Sequence, residues 1–238
     1  IMTASKLIKR LKEISDPKRA ESNAWFFKTG PGEYGEGDKF LGVTQPKSRA
    51  VAKEFVEIGF GEIEKALNSK WHEVRMTALV ILTEQYKKAD NKQKREIFDF
   101  YLSHTDRINN WDLVDVSAHK IVGAYLLENE SKIKSIYKKL SNSKNMWERR
   151  IAIVSTFAFI RERKLELTYE LAEKYLAEKH DLMHKATGWM LREAGKRDMD
   201  RLEVFIKKHY DEFPRTALRY AIEKFPEVKR KKILKGEF

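Results

Sequence analysis

The amino-acid sequence predicts an all-α chain, built of helix pairs that recur about every 40 residues. Three observations predict it. Apolar residues recur at helical spacing, with Leu7, Leu11 and Ile14 on one face, Val51, Phe55 and Ile58 on another, and Leu79, Leu82 and Tyr86 on a third. Only 5 prolines and 11 glycines punctuate 238 residues, and no stretch alternates as a half-buried strand would. Finally, Trp71-His72-Glu73-Val74-Arg75-Met76-Thr77-Ala78 aligns with Trp111-Asp112-Leu113-Val114-Asp115-Val116-Ser117-Ala118 at an offset of 40 residues.

Further helix starts follow at Trp147-Glu148-Arg149-Arg150, near Leu182-Met183-His184, and at Pro214-Arg215-Thr216. Second helices of each pair are expected at roughly 91–103, 131–141, 166–178 and 198–210. This is the period of HEAT-type repeats, whose pairs bury their apolar faces only by stacking. The expected architecture is therefore a HEAT-like helical-repeat solenoid, an α-α superhelix, forming a single domain over residues 1–238 with one helix of each pair on the concave side.

Composition bounds the function. The 48 Lys and Arg against 36 Asp and Glu give a formal charge of +12, which favours a polyanionic partner. Hydrophobic content of 42% with 13 Phe, 9 Tyr and 5 Trp argues for a folded chain. The absence of cysteine excludes disulfides, thiolate metal sites and cysteine nucleophiles. No apolar run approaches the ~20 residues of a membrane span. The start lacks a charged segment followed by an apolar one, so no secretory signal is expected and a cytoplasmic, nucleoid-associated protein is.

The segment Lys28–Thr44 is the one long irregular stretch and holds five of the 11 glycines. Gly30–Gly35 matches G-x-G-x-x-G, but no strand precedes it and Pro31 occupies the turn, so a flexible or partner-ordered loop is expected instead. His180 and His184 have the spacing of helical zinc ligands, with no third ligand at a recognisable interval; no metal or cofactor is expected. The basic run Lys229-Arg230-Lys231-Lys232 reads as a solvated tail that reinforces attraction to phosphate.

The stretch Asn109–Asp115 carries the strongest chemical signal. Trp111 and Asp115 are one helical turn apart and project from one face, pairing an aromatic surface with a carboxylate, which suits a planar cation. Trp111, Arg150 and Trp189 are spaced by 39 and 39 residues, so stacked repeats would bring them to neighbouring positions on one basic concave surface. Gly188 before Trp189 sits in a helical pattern at a cost of about 1 kcal/mol, which points to close approach of a backbone or a ligand.

These residues resemble the AlkD-like DNA alkylpurine glycosylases. The likeness rests on Trp111-Asp112-x-Val114-Asp115, Arg150-Ile151-Ala152-Ile153 after Trp147, Gly188-Trp189-x-Leu191-Arg192-Glu193, and Phe40-Leu41-Gly42-Val43 with Pro46 and Arg49. It implies a solenoid around duplex DNA and hydrolytic removal of cationic purines such as 3-methyladenine and 7-methylguanine, leaving an abasic site. Carried over, Asp115 is the catalytic carboxylate, Trp111 and Trp189 are aromatic walls, and Arg150 holds a phosphate. Arg49, Lys185 and Arg215 join the expected DNA-binding set. A monomer suits such a groove, and no membrane partner is implied. The glycine-rich segment 29–39 is longer than in well-known members, and Phe26 stands where some carry tyrosine. The alternative is a non-catalytic HEAT-repeat protein that binds damaged, bent or branched DNA.

Overall fold

The structure, a computed structural model, describes residues 1–238 as helices and connecting turns. No β-strand forms; one isolated bridge pairs Lys39 with Trp71. The chain divides into two compact units, Ile1–Ser117 and Ala118–Phe238.

The first unit holds α1 (Ala4–Glu13), α2 (Pro17–Phe26), α3 (Gln45–Glu54), α4 (Phe60–Leu67), α5 (His72–Lys88), α6 (Asn91–Ser103) and α7 (Trp111–Ala118). Local chemistry starts these helices where the sequence says they should start. Asp16 accepts from the Lys18 and Arg19 amides ahead of Pro17, which is preorganised for the first helical turn. Asp90 and Gln93 form a reciprocal capping box at α6. Helix α5 is the centre of the unit: His72 through Thr83 are all buried, and α3, α4, α1 and α6 pack around it. A helix apolar on every side belongs inside the core, and it carries His72, Glu73 and Arg75 in with it. By contrast α2 buries none of its residues, and Trp25 and Phe26 stand 83% and 56% exposed.

The second unit contains a five-residue π-turn, His119–Gly123, then α8 (Ala124–Glu128), α9 (Ile133–Ser141), α10 (Met146–Ser155), α11 (Phe157–Arg161), α12 (Glu166–Tyr175), α13 (Asp181–Gly195), α14 (Met199–Lys208), α15 (Arg215–Ala221) and α16 (Glu227–Ile233). Helix α13 packs on α10, α12, α14 and α15. At Gly188 a Cβ would lie 2.5 Å from the Ala217 carbonyl oxygen and 2.5 Å from the Tyr220 Cβ, so glycine is what lets α13 and α15 approach. The close approach read from the sequence is thus to a neighbouring helix.

The segment expected as a flexible or partner-ordered loop is tied to α5 at its C-terminal end by hydrogen bonds within the chain. Glu73, 4% exposed, accepts from the amides of Leu41 (2.9 Å), Gly42 (2.8 Å) and Val43 (3.3 Å). Three successive N–H groups converging on one carboxylate make an anion nest. Gly42 has φ +78°, a conformation that side chains rarely adopt. Further ties run from Lys39 N–H to the Lys70 carbonyl (3.2 Å) and from His72 N–H to the Lys39 carbonyl (2.8 Å). Glycine here supplies unusual backbone angles for a fixed path rather than freedom.

Candidate functional site

Helix α7 begins where Asn110 Oδ1 accepts from the Trp111 amide at 2.8 Å. Of its eight residues, Trp111 and Asp115 alone keep intermediate exposure; Asp112, Leu113, Val114, Val116, Ser117 and Ala118 are buried. The i,i+4 pair therefore lies on the one face of α7 that the core leaves open. The Trp111 indole stacks on Phe27 with centroids 5.3 Å apart and planes inclined by 13°, and Phe26 meets it edge-on at 6.1 Å. Beneath Asp115, the Tyr101 hydroxyl and Ser117 Oγ share a 2.9 Å hydrogen bond, and burial, with the Asp115 charge adding to it, pushes the phenol up from its ordinary range. The local electrostatics are those of a carboxylate at the lip of a packed aromatic and hydroxyl layer.

Behind Trp111 lies a buried polar network that sequence reasoning missed. His72 Nε2 lies 2.7 Å from Asp112 Oδ2, and its Nδ1 lies 3.2 Å from Asp38 Oδ2. Asp38 Oδ1 accepts from Arg75 Nη2 at 2.5 Å, and its Oδ2 from Asn110 Nδ2 at 3.5 Å. Arg75 Nη1 donates to Asn109 Oδ1 and to the Arg107 carbonyl. Burial opposes a charge on His72, but the Asp112 carboxylate, by charge and hydrogen bond, and Asp38 outweigh it and raise the imidazole to about 9. Burial likewise opposes ionisation of Asp38, yet the His72 bond and the Arg75 charge hold its carboxyl below the usual range. Burial draws the Arg75 guanidinium below its ordinary value. The only sequence signal for this network was the repeat alignment that set His72 opposite Asp112.

In the second unit, Trp189 is half-buried on α13, its ring 6.0 Å from Phe157. Arg150, on α10, is 4% exposed, and its Nη1 donates to the Leu182 carbonyl. Lys185 pairs with Asp181 at 2.6 Å, and the exposed Arg215 donates to the Leu234 carbonyl at 2.8 Å. Arg49 is half-buried on α3. His180 Nδ1 caps α13 by accepting from the Leu182 amide, and His184 Nε2 donates to the Glu178 carbonyl, so both imidazoles serve the backbone around that helix start. In the basic tail, Lys229 pairs with Glu203 and Lys231 with Glu227, which offsets part of its charge.

No helix is long and apolar enough to cross a membrane. No curated protein matches the chain. A solved structure, that of a predicted DNA alkylation repair enzyme from Enterococcus faecalis, is similar at TM-score 0.71 and 17% identity, covering 90% of this chain and 97% of that one. That likeness shows the fold, an all-α helical repeat. The family described as DNA alkylation repair enzyme matches residues 7–225, from within α1 to the turn after α15, and the chain belongs to that family.

Proposed function

We propose that the protein is a monofunctional DNA glycosylase that hydrolyses the N-glycosidic bond of cationic alkylated purines, 3-methyladenine and 7-methylguanine among them, in duplex DNA. The observation that carries the proposal is the pairing on α7: an indole fixed by stacking and a carboxylate one turn on, together the only half-buried positions of an otherwise buried helix.

An N3- or N7-alkylated purine already bears positive charge and leaves as a neutral base, so no general acid is required. The remaining demands are charge stabilisation at the sugar as it becomes oxocarbenium-like, and placement of a water. A fixed carboxylate such as Asp115 meets the first by charge complementarity. The same group can orient or deprotonate the water. An aromatic face adds cation–π attraction of about 1–2 kcal/mol. Trp111 and Trp189 are proposed as aromatic contacts to the lesion nucleotide, and Arg150, Arg49, Lys185 and Arg215 as contacts to the DNA backbone. The chain is proposed to act as one repeat domain, as a monomer, in the cytoplasm at the nucleoid.

The test is release of free base from duplex DNA carrying 7-methylguanine and 3-methyladenine, with wild type beside Asp115→Asn. Release by wild type and loss of nearly all of it in Asp115→Asn, with duplex binding retained, supports the proposal. Tight binding without release by either protein replaces it with a non-catalytic DNA-binding role.

A further inference from the structure

We propose that His72 is a positioning residue: a buried imidazolium that fastens the glycine-rich loop to the first turn of α7 and thereby sets the plane of Trp111 beside Asp115. The catalytic consequence rests on the function proposed above; the structural part stands without it.

The geometry demands the charged ring. His72 is 2% exposed, and both of its nitrogens face carboxylate oxygens, Asp38 Oδ2 at 3.2 Å and Asp112 Oδ2 at 2.7 Å. A neutral imidazole has one N–H and one lone pair. In that form one nitrogen would turn its lone pair on an ionised carboxylate, in a setting with little solvent to screen the repulsion. Only the doubly protonated ring satisfies both partners. Arg75 on α5 and the loop's Asp38 face the same cluster, and Glu73 on α5 and Arg19 on α2 line the same small cavity. His72 thus sits between Asp38 and Asp112 with Arg75 on the other oxygen of Asp38, while the Glu73 carboxylate accepts from three backbone amides of its own.

His72 reaches Trp111 by two routes. Through Asp112 it grips the residue next to Trp111 in the chain, in the first turn of α7. Through its ring face it packs on Phe40 (4.8 Å, 26°) and Phe27 (4.9 Å, 41°), and Phe27 is the ring on which Trp111 stacks. Asp38 adds a third tie, since its Oδ2 also takes the Asn110 amide group immediately before Trp111. The loop that reads as loose in the sequence is therefore the far anchor of the indole wall. Losing the proton from His72 would release Asp38 or Asp112, and with either the constraint on Trp111.

Three readouts on the intact protein test this. Long-range proton–nitrogen spectra of histidine-labelled protein, with His72 assigned by its absence in His72→Gln, are expected to show a doubly protonated ring at neutral pH that titrates near 9. A neutral tautomer at neutral pH overturns the proposal. The Trp111 indole N–H peak, assigned by Trp111→Phe, is expected to shift with that titration in wild type, at a lower pH in Asp38→Asn, where His72 keeps only the Asp112 carboxylate, and to stay put in His72→Gln. A peak that ignores the titration in wild type, or follows pH alike in all three proteins, overturns it. Asp38→Asn keeps the shape of the loop and serves if His72→Gln does not fold. Finally, both variants are expected to lower single-turnover base release about tenfold with duplex affinity changed less than about threefold, as for a group that acts on geometry rather than on binding. Wild-type rates in both variants overturn the positioning role. If wild type itself releases no base, the proposed function fails, while the two spectroscopic readouts still decide whether His72 holds Trp111.

Discussion

Replacing Glu73 with alanine should unfasten the loop and unfold much of the first unit with it. The Glu73 carboxylate is buried and accepts from the amides of Leu41, Gly42 and Val43 at 2.9, 2.8 and 3.3 Å. Each amide left without a partner in that buried setting costs about 1–3 kcal/mol, so three of them, partly relaxed, amount to about 3–6 kcal/mol. Glu73→Gln keeps one oxygen, which can serve Gly42 and Val43, but sets an amide NH₂ against the Leu41 N–H; about 2 kcal/mol is expected there. Urea unfolding followed by circular dichroism measures the difference, and the melting temperature of Glu73→Ala should fall by roughly 10–20 °C. Hydrogen exchange adds a local readout, since the Leu41–Val43 amides should lose protection first in Glu73→Gln. If Glu73→Ala lies within about 1 kcal/mol of wild type, the three bonds do not hold the loop and the reasoning fails.

Stability should also depend on alkaline pH through His72. Its raised value means the contribution is fully present below the unfolded value near 6.5 and is lost as pH rises through about 9, worth about 3 kcal/mol in total. Melting curves across that window should slope downward in wild type and flatten in His72→Gln. Two glycine substitutions should have opposite signs. Gly188→Ala drives a Cβ into the Ala217 carbonyl and should cost about 1–3 kcal/mol, whereas Gly61→Ala on α4 meets nothing within 4 Å and should gain up to about 1 kcal/mol by melting temperature. Arg150→Ala removes a buried donor to the Leu182 carbonyl and should lower stability by about 2–4 kcal/mol. As a phosphate contact, Arg150 should also lower the salt slope of DNA binding by roughly one unit when truncated; an unchanged slope leaves it purely structural.

Helix positions were legible in the sequence because their signals are local. The second helices expected near 91–103 and 198–210 appear as Asn91–Ser103 and Met199–Lys208, each behind an Asp cap. The pairing of Trp111 with Asp115 was legible for the same reason, since one helical turn fixes it. What could not be read is the contact of Asp38 with His72 and Arg75, 34 and 37 residues away, which depends on the path of an irregular loop. Glycine content pointed to freedom there, when glycine was serving a positive φ under a buried carboxylate. The burial of Arg150 was equally opaque, because it depends on the Leu182 carbonyl, 32 residues further along the chain.

The double fastening of the glycine-rich loop has a practical corollary. Its base is closed by the Gly35 amide on the Lys28 carbonyl and, further along, by Asp38 and the Glu73 nest, and Pro31, Gly32 and Glu33 stand exposed outside those closures. Lengthening a loop whose ends are already held costs only about 0.6 kcal/mol per doubling. That exposed turn, ahead of the buried Gly35 that packs on the Phe27 backbone, is therefore a natural port for an inserted affinity tag or fluorophore.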